Sequence, residues 1–346
     1  MYLLQYIICL CFLLVVITSV DGYRSSSSER PIHRPLFTNG IERTIHWPSA
    51  EPVPIEKEIQ LLMSNTLVRR GEFGKVYGSR ALDVEMSCQD AGLTFHQGVS
   101  IRKQLLMKKA MRSAWRLKHE KIMKSICKDF DNQRPILDIS LSRDLPPVSL
   151  FRSIMASRVL EAYPRFSSAN RSKPAGRIVQ SIMSETDKDQ IKNFLTSWEY
   201  NELRIAKEND IVGYEGTSTI AEEWEETIYK YLDEQNINYI TEETLKSYGF
   251  EERGTPDCLL IDDLVLNGQP LRWIEFKSFY GSGLKENAFF TKKAICRQIA
   301  KYDRTYGKGA MVFKHNISSK ISQRFPSTLF LDGSILHTAD EFNLFG

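Results

Sequence analysis

Two acids and a lysine that flank an apolar hairpin are the residues best suited to chemistry. Asp257 follows a proline, and Glu275 and Lys277 stand one residue apart further along the chain. Paired carboxylates bind hard divalent cations such as Mg²⁺ or Mn²⁺ through oxygen. A lysine beside them can stabilise charge that develops on a phosphoryl group. The pattern therefore predicts a metal-dependent phosphodiesterase site, provided that the hairpin brings the three side chains together.

The register of that hairpin decides whether the site can form. A two-residue turn at Asn267 and Gly268 would place Asp257 opposite Ser278, on the face away from the other two site residues. A three-residue loop over 266–268, with Gly268 left-handed in a bulge, would place Asp257 opposite Lys277. We therefore predict the three-residue loop.

A further acid, Glu225, lies in a segment with helical spacing at 221–234. It precedes Ile228 by three positions and Leu232 by seven, so we expect its carboxylate to point along the buried face of the helix. We predict that Glu225 is a direct or water-mediated metal ligand. The alternative is that the acids at the start of this helix only complement its macrodipole.

The segment 101–130 is strongly basic, with ten Lys or Arg residues against two acids. Its apolar residues follow helical spacing, which predicts one long helix or two consecutive ones with a basic outer face. Lys108, Lys109, Arg112 and Arg116 could contact a phosphate backbone. A solvated face of a helical domain explains the same charges, and both interpretations stay open.

The rest of the sequence predicts an α/β fold with a mixed sheet that is covered by helices on both faces. The 346 residues, the net charge of +3 and the 26% charged content are ordinary for a globular protein. The first residues are apolar and suggest a secretion signal or an anchor. We predict a leader at 1–22, a poorly ordered linker at 23–95, an all-helical domain at 96–206 and the catalytic domain at 207–346.

Thr255-Pro256-Asp257 and the strand residues 273–277 resemble the codanin-interacting nuclease family, within the PD-(D/E)xK nuclease superfamily. Gly281, the spacing from Gln298 to Tyr302 and the exit at 307–309 fit the same pattern, and the resemblance covers roughly residues 100 to 332. It implies a restriction-endonuclease-like core that hydrolyses DNA with Mg²⁺ or Mn²⁺. It also implies a codanin homologue as partner and a location in the nucleus and cytoplasm.

The resemblance extends to residue roles. The backbone carbonyl of Phe276 would join Asp257 and Glu275 as a metal ligand, and Gln298 and Tyr302 would support the site. Phe276 stands where the family usually has a small residue, and the segment 282–297 is longer than its family counterpart.

The leader conflicts with the implied location. We expect it to be an artefact of the gene model, in which case no membrane partner is expected. A real leader would indicate secretion. The alternative function is a non-catalytic DNA-binding or scaffold protein that retains the nuclease fold.

Overall fold

The computed structural model describes residues 42–48, 50–163, 172–186, 188–213, 217–250, 254–285 and 295–336. These residues form two compact units. One unit contains residues 68–77 and 106–213, and the other contains residues 42–67 and 78–105 together with the chain from 217 onward. The predicted leader at 1–22 lies outside the described residues. Within the described part of the chain, no helix is long and apolar enough to cross a membrane.

The first unit is built from helices around an apolar core. Phe130 and Phe151 meet edge to face at its centre, with ring centroids 5.7 Å apart, and both side chains are fully buried. The helix α3 (Phe95–Ser113) ends in this unit. After it come the 3-10 helix Ala114–Lys118, α4 (Glu120–Asp131), α5 (Ile136–Arg143), α6 (Pro147–Ala162), α7 (Ser172–Ser184), α8 (Lys188–Phe194) and α9 (Ser197–Glu208).

The second unit is built on a six-stranded mixed sheet. Its strands are β1 (Glu42–Ile45), β2 (Tyr239–Thr241), β3 (Cys258–Leu266), β4 (Gln269–Lys277), β5 (Gly309–Phe313) and β6 (Leu329–Asp332). The order is β1-β3-β4-β5-β6, and β2 also pairs with β3. The β2–β3 and β3–β4 pairs are antiparallel, whereas the β1–β3, β4–β5 and β5–β6 pairs are parallel.

Helices cover both faces of this sheet. On one face Trp224 and Ile228 of α10 (Thr217–Glu234) pack with alternate strand residues such as Val312. On the other face Ile299 of α12 (Ile295–Tyr306) packs with residues such as Met311. The described chain also contains α1 (Ile55–Met63), α2 (Gly78–Asp90), α11 (Glu242–Ser247), α13 (Ser319–Ser322) and a 3-10 helix at Ser334–Leu336. The predicted mixed α/β core with helices on both faces is confirmed.

The hairpin between β3 and β4 closes with a two-residue turn, so the predicted three-residue loop is wrong. Leu266 pairs directly with Gln269, and Asn267 and Gly268 both adopt positive φ angles, of 48° and 78°. Asn-Gly tolerates this conformation at both positions, and such a turn matches the natural twist of the strands. The Asn267 side chain accepts a hydrogen bond from the Trp47 backbone N–H at 2.8 Å and donates one to the Trp47 carbonyl oxygen at 3.1 Å.

A bulge in β3 then changes the register. On the turn side of the bulge Leu264 pairs with Leu271, whereas beyond it Leu259 pairs with Trp273. Between these pairs β3 advances five positions and β4 advances two, a difference of three. Because side chains alternate between faces, an odd difference exchanges the faces that the two strands share. Because of the bulge, Asp257 lies on the same face of the sheet as Glu275 and Lys277, whereas the two-residue turn without a bulge would place it on the opposite face.

The predicted linker at 23–95 is wrong for its described part. Residues 42–95 contain β1, α1 and α2, and they bury Trp47 and Val53 completely or almost completely. Pro54 directly precedes α1, a position at which a proline is compatible with the helix start. The predicted helical domain at 96–206 also differs from the observed units, because the helix from Phe95 begins in the second unit and the first unit includes residues 68–77.

Candidate active site

The start of β3 and the end of β4 bring Asp257, Glu275 and Lys277 together. The Lys277 ammonium lies 2.6 Å from Glu275 Oε1. Asp257 Oδ2 accepts a hydrogen bond from the backbone N–H of Phe276 at 2.5 Å, so the carboxylate reaches across to the strand that carries the other two residues. The structure therefore places the two predicted carboxylates and the predicted lysine at one position of the sheet.

The helix α12 brings Gln298 and Tyr302, the two residues predicted to support the site, next to this group. Gln298 donates from Nε2 to Glu275 Oε1 at 2.6 Å and to the Tyr302 hydroxyl at 3.1 Å. The Tyr302 hydroxyl in turn donates to the Thr255 carbonyl oxygen at 3.0 Å. The two side chains thus join Glu275 to the segment that carries Asp257.

Glu275 has one carboxylate oxygen that the protein does not satisfy. Its side chain is almost completely buried, and Oε1 is shared by Lys277 and Gln298. Oε2 is buried, and no described residue forms a hydrogen bond with it. Burying a carboxylate oxygen without a partner is costly, so such an atom indicates a ligand of positive charge. Asp257 and Glu275 fit a hard divalent cation, because both offer carboxylate oxygens.

The charges of the site are coupled. Burial and the neighbouring Glu275 raise the pKa of Asp257 well above its usual value. Burial alone would lower the pKa of Lys277, but Glu275 and Asp257 oppose this and leave it raised. Lys277 is therefore a cation at neutral pH. One ammonium faces two carboxylates, so a further cation would reduce the repulsion that raises the pKa of Asp257.

The predicted fourth acid, Glu225, is near this group but is not hydrogen-bonded to it. The buried stripe of α10 is led by Trp224, while Glu225 is only half-buried. Its pKa is raised by burial first and then by Glu242 and Glu275, so its carboxylate lies within electrostatic reach. Among the described residues, no group of three or more His, Cys, Asp or Glu side chains could hold a metal ion. Carboxylates from Asp257 and Glu275 thus form a pair, with Glu225 beside it.

The four residues predicted to contact nucleic acid lie in the helical unit. Lys109 forms a 2.7 Å ion pair with Asp144, and its ammonium lies 4.9 Å from the centre of the Phe73 ring. These contacts explain Lys109 as a structural residue. Arg112 is exposed, and Lys108 and Arg116 are partly exposed.

Asp262, which was not predicted from the sequence, lies within the β3 bulge, between Leu259 and Leu264. Its buried carboxylate accepts hydrogen bonds from the backbone N–H and the side-chain amide of Asn238, both at 3.0 Å, and from Arg43 Nε at 3.2 Å. Burial raises the pKa of Asp262, but the bonds from Asn238 and Arg43 outweigh it and leave the pKa lowered. An acid within an apolar strand is a signal that could have revealed it, since a buried charge requires partners.

Glu58 was also missed, and it holds the chain that follows Lys277. The carboxylate is completely buried in α1. It accepts hydrogen bonds from Ser282 Oγ at 2.6 Å, from the Tyr280 hydroxyl at 3.1 Å and from the Gly283 N–H at 3.0 Å. Burial raises the pKa of Glu58, and these hydrogen bonds only partly oppose the shift. Nothing in the local sequence distinguishes Glu58 from Glu56, the exposed acid of the same helix.

The fold and the site together define an α/β protein with a carboxylate pair and a lysine at one strand end. Residues 188–332 match the family model described as "Protein of unknown function TPD sequence-motif". That stretch contains Thr255-Pro256-Asp257, both carboxylates of the pair and the lysine.

Three curated proteins are similar to parts of the chain. An uncharacterized protein of Acanthamoeba polyphaga mimivirus is 31% identical over 127 residues, which cover 35% of this chain and 42% of that protein. CDAN1-interacting nuclease 1 of Danio rerio is 27% identical over 32% of this chain and 35% of its own length. Its Xenopus laevis namesake is 24% identical over 35% of this chain and 41% of its own length.

The chain spans less than half the length of each of these curated relatives. No solved structure matches it. Over part of its length the chain is thus similar to the TPD family model and to two proteins named CDAN1-interacting nuclease 1.

Proposed function

We propose that the protein is a metal-dependent nuclease that hydrolyses DNA phosphodiester bonds, with a site of the PD-(D/E)xK type. The observation that carries the proposal is Glu275 Oε2, a buried carboxylate oxygen without a hydrogen-bond partner in the described structure. It belongs to the carboxylate pair that also contains Asp257, and the ammonium of Lys277 stands beside it. The names of two relatives add that the family is nuclease-related and linked to codanin.

Mg²⁺ or Mn²⁺ would be held by Asp257 and Glu275 with the Phe276 carbonyl, and Glu225 would be a further ligand, either directly or through a water molecule. Such an ion supplies Lewis-acid activation of the scissile phosphate and of water. Lys277 is protonated at neutral pH, because the two carboxylates raise its pKa. It therefore serves as a hydrogen-bond donor that orients water and stabilises the pentavalent phosphate, rather than as a proton acceptor. Gln298 keeps Glu275 in place through its 2.6 Å hydrogen bond.

The partners proposed with this activity are DNA and a codanin homologue, and the proposed location is the nucleus and cytoplasm. These proposals rest on the family resemblance and on the names of the two relatives.

The decisive test is cleavage of branched, flapped and linear DNA with Mg²⁺ by the wild type, Asp257→Asn and Lys277→Ala. We expect both variants to lose at least about 100-fold in rate, because each removes a group that acts at the reacting phosphate. Asp263→Asn is a matched control on the same strand, because Asp263 is exposed and pairs with Arg272 away from the site. The proposal requires that this control keep the wild-type rate.

Mn²⁺ titration separates the nuclease from the alternative of a non-catalytic scaffold. A nuclease should bind Mn²⁺ in a manner that Asp257→Asn weakens and Asp263→Asn does not. Equal cleavage by the wild type, Asp257→Asn and Lys277→Ala would refute the assignment. Absence of carboxylate-dependent Mn²⁺ binding would favour the scaffold.

A further inference from the structure

An exposed tryptophan lies in the most basic part of the chain. Trp115 stands in the 3-10 helix Ala114–Lys118, and 56% of it is exposed. Leu117, two positions later, packs against the core of the helical unit and anchors this turn. The indole contacts the His119 ring edge to face, with centroids 5.0 Å apart and an interplanar angle of 80°. His119 thus braces the Trp115 ring, while more than half of the residue faces solvent.

The charges around Trp115 are almost all positive. Between positions 112 and 128 the single acid is Glu120, and it pairs with Lys124 at 2.7 Å. Arg112 is exposed and Arg116 partly exposed, and neither has an ion-pair partner among the described residues. The exposed ring therefore has guanidinium groups three positions before it and one position after it.

We propose that Trp115 is a stacking platform for an unpaired base of single-stranded DNA, with Arg112 and Arg116 contacting the flanking phosphates. The proposal deepens, and rests on, the DNA-directed function proposed above. Single-stranded nucleic acid is held by the combination of aromatic faces for bases and cations for phosphates. A duplex keeps its bases inside the stack and offers Trp115 only phosphates and sugars. The platform would therefore favour substrates with unpaired bases, such as flaps and single-stranded ends.

The surroundings of Trp115 fit nucleic acid better than a protein partner. The centres of protein interfaces are depleted in charged residues and combine several apolar side chains. Trp115 instead has one other large exposed apolar residue close to it in sequence, Met111, and both stand in a segment rich in cations. Lys109 is not part of the proposed surface, because its ion pair with Asp144 occupies its ammonium.

Binding should be measured by fluorescence anisotropy with labelled oligo(dT) and a labelled blunt hairpin duplex, with EDTA present. Stacking on an aromatic side chain is worth about 1–3 kcal/mol per base, which corresponds to about 5-fold to about 150-fold in affinity. Because His119 covers part of the indole, we expect Trp115→Ala to weaken oligo(dT) binding by about 5- to 10-fold. The duplex affinity should change by less than about twofold, and Trp115→Phe should retain most of the oligo(dT) affinity.

Two further variants sharpen the test. Tyr77→Ala removes another aromatic residue of the helical unit that is 65% exposed, and it should leave both affinities unchanged. Arg116→Gln should weaken the binding of both oligo(dT) and the duplex. For oligo(dT) it should also reduce the slope of log affinity against log salt concentration by about 0.7.

Several results would overturn the proposal. The first two concern Trp115→Ala: an unchanged affinity for oligo(dT), or an equal loss of affinity for oligo(dT) and for the duplex. The other two concern the wild type: a preference of more than about tenfold for oligo(rU) over oligo(dT), or displacement of oligo(dT) by polyglutamate at equal charge. Because no divalent ion is present, these measurements do not depend on cleavage. If the protein binds oligo(dT) through Trp115 but does not cleave DNA, the nuclease proposal is refuted and the stacking proposal stands. If the protein cleaves DNA and its oligo(dT) binding does not depend on Trp115, the stacking proposal is refuted and the nuclease proposal stands.

Discussion

Replacement of Asp262 should disrupt the site without touching any proposed ligand. Asp262 lies within the bulge and is hydrogen-bonded by Asn238 and Arg43, and the bulge supplies the odd register shift between β3 and β4. Without that shift, the two-residue turn would pair Asp257 with Ser278 and turn its carboxylate away from Glu275. We therefore expect Asp262→Ala to lose both stability and metal binding.

The magnitude follows from the three hydrogen bonds of Asp262. A hydrogen bond to a charged acceptor contributes about 1.5–3 kcal/mol, and the two bonds from Asn238 are partly buried. The Arg43 side chain is 28% exposed, so solvent reduces the share of that ion pair to about 0.5 kcal/mol. With each Asn238 bond at the low end of that range, Asp262→Ala should thus lower the free energy of unfolding by about 3.5 kcal/mol. All three donors bind Oδ2, so the amide oxygen of Asp262→Asn can accept the same bonds as a neutral group, and this change should cost about 1 kcal/mol.

Urea unfolding followed by circular dichroism measures the loss, and Mn²⁺ titration of the folded variants measures the effect on the site. Asp263→Ala is the neighbouring control, since its exposed ion pair with Arg272 should contribute less than about 0.5 kcal/mol. The lowered pKa of Asp262 adds a pH dependence: its stabilisation is present above about pH 4 and is lost as the pH falls through the lowered value. If Asp262→Ala were as stable as Asp263→Ala and bound Mn²⁺ like the wild type, Asp262 would not stabilise the bulge that positions Asp257.

Two other predictions concern the supports of the site. Because burial raises the pKa of Glu58, its ionisation should cost stability as the pH rises above the ordinary glutamate value of about 4.3. In thermal melts at pH 4 and pH 7.5, the stability of Glu58→Gln relative to the wild type should therefore be greater at the higher pH. Glu58→Ala should be less stable than the wild type by about 2–4 kcal/mol at both pH values. A stability of the wild type that rises relative to Glu58→Gln at pH 7.5 would contradict this. Gln298→Ala should weaken Mn²⁺ binding about 10-fold, because Glu275 loses the hydrogen bond that positions it. Arg297→Ala, a change at the exposed neighbouring residue, should leave Mn²⁺ binding unchanged. Equal Mn²⁺ affinities of Gln298→Ala and the wild type in calorimetry would exclude the positioning role.

Local patterns explain what the sequence could predict. The apolar runs of β3 and β4 predicted strands buried on both faces, because each alternate set of side chains is apolar. Helical spacing predicted α10, and the one-turn spacing of Gln298 and Tyr302 on α12 lets the two side chains form a hydrogen bond with each other. These predictions need only residues that are close in sequence.

The register could not be predicted in the same way. The Asn-Gly pair correctly indicates a tight turn, but the bulge depends on contacts that Asp262 makes with residues distant in sequence. Arg43 precedes Asp262 by 219 positions, and Asn238 precedes it by 24. In α10 the helical spacing placed Glu225 on the buried face, whereas the larger apolar area of Trp224 fills that position. Tertiary packing decided both cases.

The stretch that matches the family model does not contain all the supports of the site. Two of the three hydrogen bonds to Asp262 come from Asn238, inside residues 188–332, and the third, from Arg43, is the weakest because it is partly exposed. The face of Asp257 is therefore encoded mainly within the matched stretch. The chain after Lys277 differs, because Ser282 and Gly283 bond to Glu58, which lies far outside it. The position of the carboxylate pair and the path of the chain beyond the lysine thus depend on different parts of the sequence.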